Sequence, residues 1–140
     1  MKLSKILGLL LIALVLLTGC SKDDNPSSSE GDNLVGTWVL TKIILTSLGN
    51  TELNPAQVGF SGTIIMRSDR TFSATFTDAD GPSTDTGTWS VSNGKISMKS
   101  SSGETRVWPF GISGNKLTIE TNLDVPNLGN IPVRLEFTKQ

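Results

Sequence analysis

The sequence predicts an all-β domain closed as an eight-stranded antiparallel up-and-down β-barrel, and three observations point there. Past residue 33, apolar side chains alternate with hydroxyls at period two. Clusters of Gly, Asn, Asp and Ser fall between the alternating runs, and no long stretch shows the three-to-four spacing of an amphipathic helix. In residues 21–140, Ser and Thr number 31 and apolar residues 37 of 120. Such a modest core under a hydroxyl-rich surface suits strands with one wet face.

The first twenty residues read as an address rather than as part of the fold. Lys2 and Lys5 precede an apolar run at residues 6–17 that only Gly8 interrupts. A positive start followed by a short apolar stretch is the pattern of a secretory signal peptide, and the run is too short to span a bilayer comfortably. It ends in Leu17-Thr18-Gly19-Cys20, which resembles the lipobox of bacterial lipoproteins. By that resemblance residues 1–19 are a cleaved signal peptide, the Cys20 thiol carries a diacylglyceryl group, and the new amino terminus takes a further acyl chain of the palmitate type. Each buried CH₂ contributes about 0.8 kcal/mol, so several chains exceed what stable anchoring needs.

Residues 20–33 then form the lipidated end and a tether without an apolar side chain other than Pro26, a composition that cannot fold alone. The cluster Ser21-Lys22-Asp23-Asp24 resembles the lipoprotein export signal of Bacteroidota, which implies the outer membrane and a cell-surface orientation. The alternative is an acidic spacer that merely stays solvated.

The domain occupies residues 34–140, and its eight strands are predicted at about 36–45, 60–67, 71–77, 85–91, 95–99, 104–112, 116–121 and 131–138. Thr71-Phe72-Ser73-Ala74-Thr75-Phe76-Thr77 alternates without a fault, and residues 116–120 and 133–138 do the same. Ser68-Asp69-Arg70, Asn93-Gly94, residues 100–103 and Ser113-Gly114-Asn115 supply the turns, Asn-Gly being the strongest two-residue hairpin signal. The 46–59 connection offers one short helical turn, with Asn54 as its cap and Pro55 at its first position. The 122–130 connection carries three aliphatic residues and is expected to fold back over an apolar barrel end. Left open, such a meander would expose two edge strands and one apolar face, and closure removes both. A two-sheet β-sandwich is the runner-up, since it uses the same alternation.

Leu34-Val35-Gly36-Thr37-Trp38-Val39-Leu40 opens the first strand with Gly-x-Trp, as lipocalins and fatty-acid-binding proteins do. With Gly87-Thr88-Trp89, residues 90–98, residues 114–119 and the closing residues 134–139, it resembles the lipocalin-like domains of small Bacteroidota lipoproteins. The resemblance implies a lipocalin-like barrel with Trp38 closing its base and Arg134 lying over that tryptophan.

Composition narrows the chemistry. Twelve basic against thirteen acidic residues give a net charge of −1, which excludes a basic nucleic-acid footprint. There is no His and a single Cys, so intrachain disulfides, His-based metal sites and Ser-His or Cys-His catalysis are all excluded. Asp78, Asp80 and Asp85 surround a Gly turn but fail the spacing of a calcium loop, and they read as a solvated hairpin tip. Lys95 with Ser97, and Glu104, Glu120 and Glu136, sit at polar-face positions of their strands and read as surface. No catalytic residue, metal or cofactor is expected.

Candidate ligand contacts are the inward-facing aromatics Phe72, Phe76, Trp89, Trp108 and Phe110. Trp108 and Phe110 are the favoured rim pair, because Pro109 between them marks an edge or bulge. The same residues allow either an apolar cavity or a collapsed core. In β1, Val39, Ile43 and Leu45 compete with Leu40 and Ile44 for the inside. Two functions therefore stand: a membrane-anchored binder of a small hydrophobic molecule or an extended partner segment, and a structural lipoprotein with a solid barrel that contacts another envelope protein.

Overall fold

The computed structural model describes residues 31–125 and 129–140. The leader, Cys20 and the tether up to residue 30 lie outside the described residues. One antiparallel sheet runs in the order β2-β1-β3-β4-β5-β6-β7-β8-β9 and closes through β1–β9 pairing. Eight strands make the barrel: β1 (Gly36–Leu45), β3 (Ser61–Met66), β4 (Thr71–Asp78), β5 (Gly81–Ser92), β6 (Lys95–Ser100), β7 (Thr105–Ser113), β8 (Lys116–Val125) and β9 (Gly129–Lys139). Closure excludes the sandwich. The short β2 (Thr51–Leu53), which the period-two reading missed, lies along the far half of β1.

Local chemistry sets the turns. Asn93 and Gly94 both take positive φ, at 53° and 69°, the pair that a tight hairpin twisted like its strands requires. Between β3 and β4, the Asp69 carboxylate accepts from the Thr71 N–H at 2.9 Å and the Thr71 hydroxyl at 2.6 Å, and these bonds hold its pKa below the ordinary value. In the 46–59 connection, Asn54 caps a 3₁₀ turn at Pro55–Val58 by accepting from the Ala56 N–H at 3.0 Å, as its sequence predicts.

Two expectations need correction. In the 122–130 connection, residues 122–125 and 129–130 do not fold over the barrel end. Instead β8 and β9 continue their ladder to Val125↔Gly129, beyond the predicted strand ends, and residues 126–128 lie outside the described residues. Likewise β5 starts at Gly81, which places Gly87-Thr88-Trp89 in mid-strand.

The competition in β1 is settled by a bulge. Leu40 pairs with Phe137 and Lys42 with Glu136, so Thr41 is an extra residue. Leu40 is therefore inward before the bulge, and Ile43 and Leu45 are inward after it. Thr41 uses its displaced side chain to donate to the Glu136 carbonyl at 3.2 Å. Beyond Val39↔Thr63, β1 parts from β3 and takes up β2.

The core joins Leu34 and Trp38 at one end to Ile64, Phe72, Met98, Ile119 and Leu135 higher up. The lower end is closed. Residues 31–34 form a helical turn against it, and Trp38, fully buried, donates its indole N–H to the Leu34 carbonyl at 2.7 Å. The cation over the Trp38 ring is Lys139, with Nζ at 5.3 Å from the centroid, and not Arg134. Arg134 pairs with Ile44 in register, faces outward and meets Glu120 at 3.4 Å. Its expected place at the barrel base is therefore wrong. Val133, Leu135 and Phe137 point inward, so Arg134 points out and Lys139 reaches the base.

Candidate functional site

Above this base the interior is not filled. A cavity of about 360 Å³ opens at the upper end, the small end of the range for ligand pockets. Its deep walls are apolar: Ile64, Phe72, Ala74 and Phe76 from β3 and β4, Met98 from β6, Ile119 from β8, and Leu135 and Phe137 from β9. Phe60 stacks on Phe76 with ring centroids 5.9 Å apart. The void follows from side-chain size, since Ala74 stands between Phe72 and Phe76 on the inner face of β4. Gly62 allows the Phe76 ring to lie flat on β3. A Cβ there would sit 2.7 Å from that ring.

Of the five expected contact residues, Phe72, Phe76 and Trp108 line the cavity. Trp89 does not. It is buried at the closed end, donates Nε1–H to the Thr71 carbonyl at 3.1 Å and lies under the Arg70 guanidinium at 4.4 Å. Phe110 is half-buried against the core below the cavity and outside its walls. Of the expected rim pair, Trp108 lines the cavity and Phe110 does not.

A polar band caps the apolar walls. Ser83 and Asp85 come from β5, Ser100 from β6, Arg106 from β7, Thr121 and Asn122 from β8, and Glu104 from the turn before β7. Arg106 and Glu104 form a two-point pair, Nε to Oε1 at 2.8 Å and Nη2 to Oε2 at 3.1 Å. That pair raises the guanidinium above and lowers the carboxyl below its ordinary value. Ser100 donates its hydroxyl to Asp85 Oδ1 at 2.5 Å. Asp85 therefore belongs to the mouth of the cavity, apart from Asp78 and Asp80. In the hairpin turn Asp78 accepts from the Asp80 N–H at 2.9 Å. Period two counted back from Trp89 places Asp85 and Ser83 inward, and counted back from Trp108 it does the same for Arg106. The parity is legible for Asp85 and Arg106 within their predicted strands, but the sequence groups Asp85 with the hairpin tip, and only Ser83 falls outside the predicted start of β5. Glu120 and Glu136 are engaged on the outer face by Arg134 and Lys116. Among the described residues no cluster has the donors to hold a metal ion.

The wall is notched beside Trp108. The β7–β8 ladder runs only from Phe110↔Ile119 to Ser113↔Lys116. Residues 105–109 pair with β6 alone and residues 120–125 with β9 alone. Pro109 has no N–H to continue the ladder toward Glu120. Trp108, Thr121 and Asn122 line both the internal cavity and a shallower hollow over the notch, so the interior reaches the surface at the side as well as at the top.

A meander barrel plugged by a tryptophan at one end and open at the other onto an apolar, aromatic-walled cavity defines the lipocalin class of architecture. The model of the lipocalin-like domain family matches residues 34–119, and the chain belongs to that family. Among solved structures it is similar to a lipocalin-like protein from Bacteroides uniformis, with a TM-score of 0.51 and 16% sequence identity over 77% of this chain and 99% of that one. At that identity the likeness concerns the fold. A search of curated proteins found no match.

Proposed function

We propose that this protein is a lipid-anchored binder of a small apolar ligand, held at the outer membrane by Cys20 and facing the cell exterior, and that it performs no catalysis. The observation that carries the binding reading is the cavity of about 360 Å³ with aromatic walls, in a fold whose small barrels either fill their interior or hold one ligand. The lipobox and the acidic residues behind it support the anchor and the orientation.

Trp108 in the cavity wall supplies the readout. A titration of the Cys20→Ser chain with a panel of fatty acids, alcohols and aromatic compounds should shift or quench tryptophan emission for at least one member. Ala74→Phe fills the space between Phe72 and Phe76 and should abolish that response while leaving the fold intact by circular dichroism. No response to any member, with Ala74→Phe indistinguishable from the parent, would leave the interior as core only.

The notch favours a second reading for part of the surface. Two neighbouring strand edges without ladder partners are where an extended segment of an envelope protein would add a strand.

A further inference from the structure

The charge arrangement at the cavity mouth says which kind of small molecule the site takes. Each wall group below the mouth is apolar, so a ligand that fills the cavity has one long apolar part. Its polar end must stop at the band where Asp85, Ser100, Glu104 and Arg106 stand, because a polar group pushed deeper would lose its hydrogen bonds to water and find none in return. Among the described residues of that band, Arg106 is the single cation, and Glu104 holds it. Two hydrogen bonds, at 2.8 and 3.1 Å, tie it to Glu104. Asp85 has only the Ser100 hydroxyl on Oδ1 and, among the described residues, no ion pair; Arg106 lies near enough to attract it but gives both of its hydrogen bonds to Glu104. The lining thus holds two carboxylates to one guanidinium, and the unmatched charge is negative.

We propose that the ligand is a small amphiphile with a cationic, hydrogen-bond-donating head, seated on Asp85 with its apolar body between Phe72, Phe76 and Trp108. The inference rests on the binding reading above and adds the head group to it. A carboxylate head would have to break the Arg106–Glu104 pair and then lie against Asp85, a like charge. An ammonium head completes the charge of the band without disturbing either bond. Asp85 Oδ2 is the acceptor available to it, and the aromatic walls next to the band favour a cation over an anion.

Decylamine, decanol and decanoate share one tail and differ in the head, so they separate the two claims. Each is titrated below its micellar concentration into the Cys20→Ser chain, with tryptophan emission as the signal and Ala74→Phe as the control for surface adsorption. The amine should bind about tenfold more tightly than the alcohol, equivalent to ~1.4 kcal/mol, and the carboxylate most weakly. Asp85→Asn should bring the amine to within about threefold of the alcohol and leave the alcohol where it was. Equal binding of all three, tighter binding of decanoate, or an amine advantage that survives Asp85→Asn overturns the head-group assignment while the cavity reading stands. Failure of all three to bind, or binding that Ala74→Phe does not remove, overturns both.

Discussion

Trp38 is fully buried, and its indole N–H reaches the Leu34 carbonyl at 2.7 Å, so truncating it removes packed volume and a buried hydrogen bond together. Trp38→Ala should cost about 3–5 kcal/mol in urea unfolding, the range for deleting a large buried aromatic. Trp38→Phe keeps most of the ring but leaves that carbonyl unpaired, at a cost of about 1–3 kcal/mol. Arg134→Ala removes only an exposed ion pair with Glu120 and should shift stability by less than ~1 kcal/mol. A larger loss from Arg134→Ala than from Trp38→Ala would return the arginine to the base. The place of the tryptophan was legible from Gly-x-Trp through the family resemblance. Its cation was not read correctly, although inward parity along Val133, Leu135 and Phe137 already pointed to Lys139. The family resemblance supplied an arginine where strand geometry supplied a lysine.

Elements were legible wherever both faces of a strand announced themselves, as in β4, and illegible where one backbone group decided the outcome. Thr41 is one such place, since a bulge reverses the face without altering composition, and the sequence alone therefore leaves β1 ambiguous. Pro109 is another. It was readable as an edge signal, but the depth of the notch depends on where β7 and β8 part, which only the register shows. Pro109→Val supplies the missing N–H opposite Glu120 and keeps a residue suited to strands. The ladder should then extend toward the mouth and narrow the side opening. Stopped-flow mixing with a ligand from the panel should show association slowed severalfold. Unchanged association rates would mean that ligand enters by the top alone, and the notch would then be left to a partner strand.

At the scale of the whole molecule, the proposed anchor at Cys20 raises the question of which end of the barrel it would hold toward the membrane. Residues 31–34 lie against the Trp38 plug, and Lys139 Nζ donates to the Asn33 carbonyl at 3.3 Å, so the tether joins the barrel at its closed end. The polar band and the notch are at the other end, past Asp85 and Glu104. Among the described residues, the core from Leu34 to Phe137 and both closing strands lie within the barrel domain. With residues 31–34 packed on the base, ten residues, 21–30, separate them from Cys20, a reach of at most ~33–36 Å when extended. It follows that Cys20→Ser should move the protein from the membrane to the soluble fraction without altering its urea midpoint or its ligand affinity. Retention in the membrane through a high-salt wash would overturn the anchor. Loss of ligand affinity on release would show that the bilayer itself forms part of the site. Protease added to intact cells should cleave the anchored wild-type chain, and protection until the cells are opened would place the mouth in the periplasm instead.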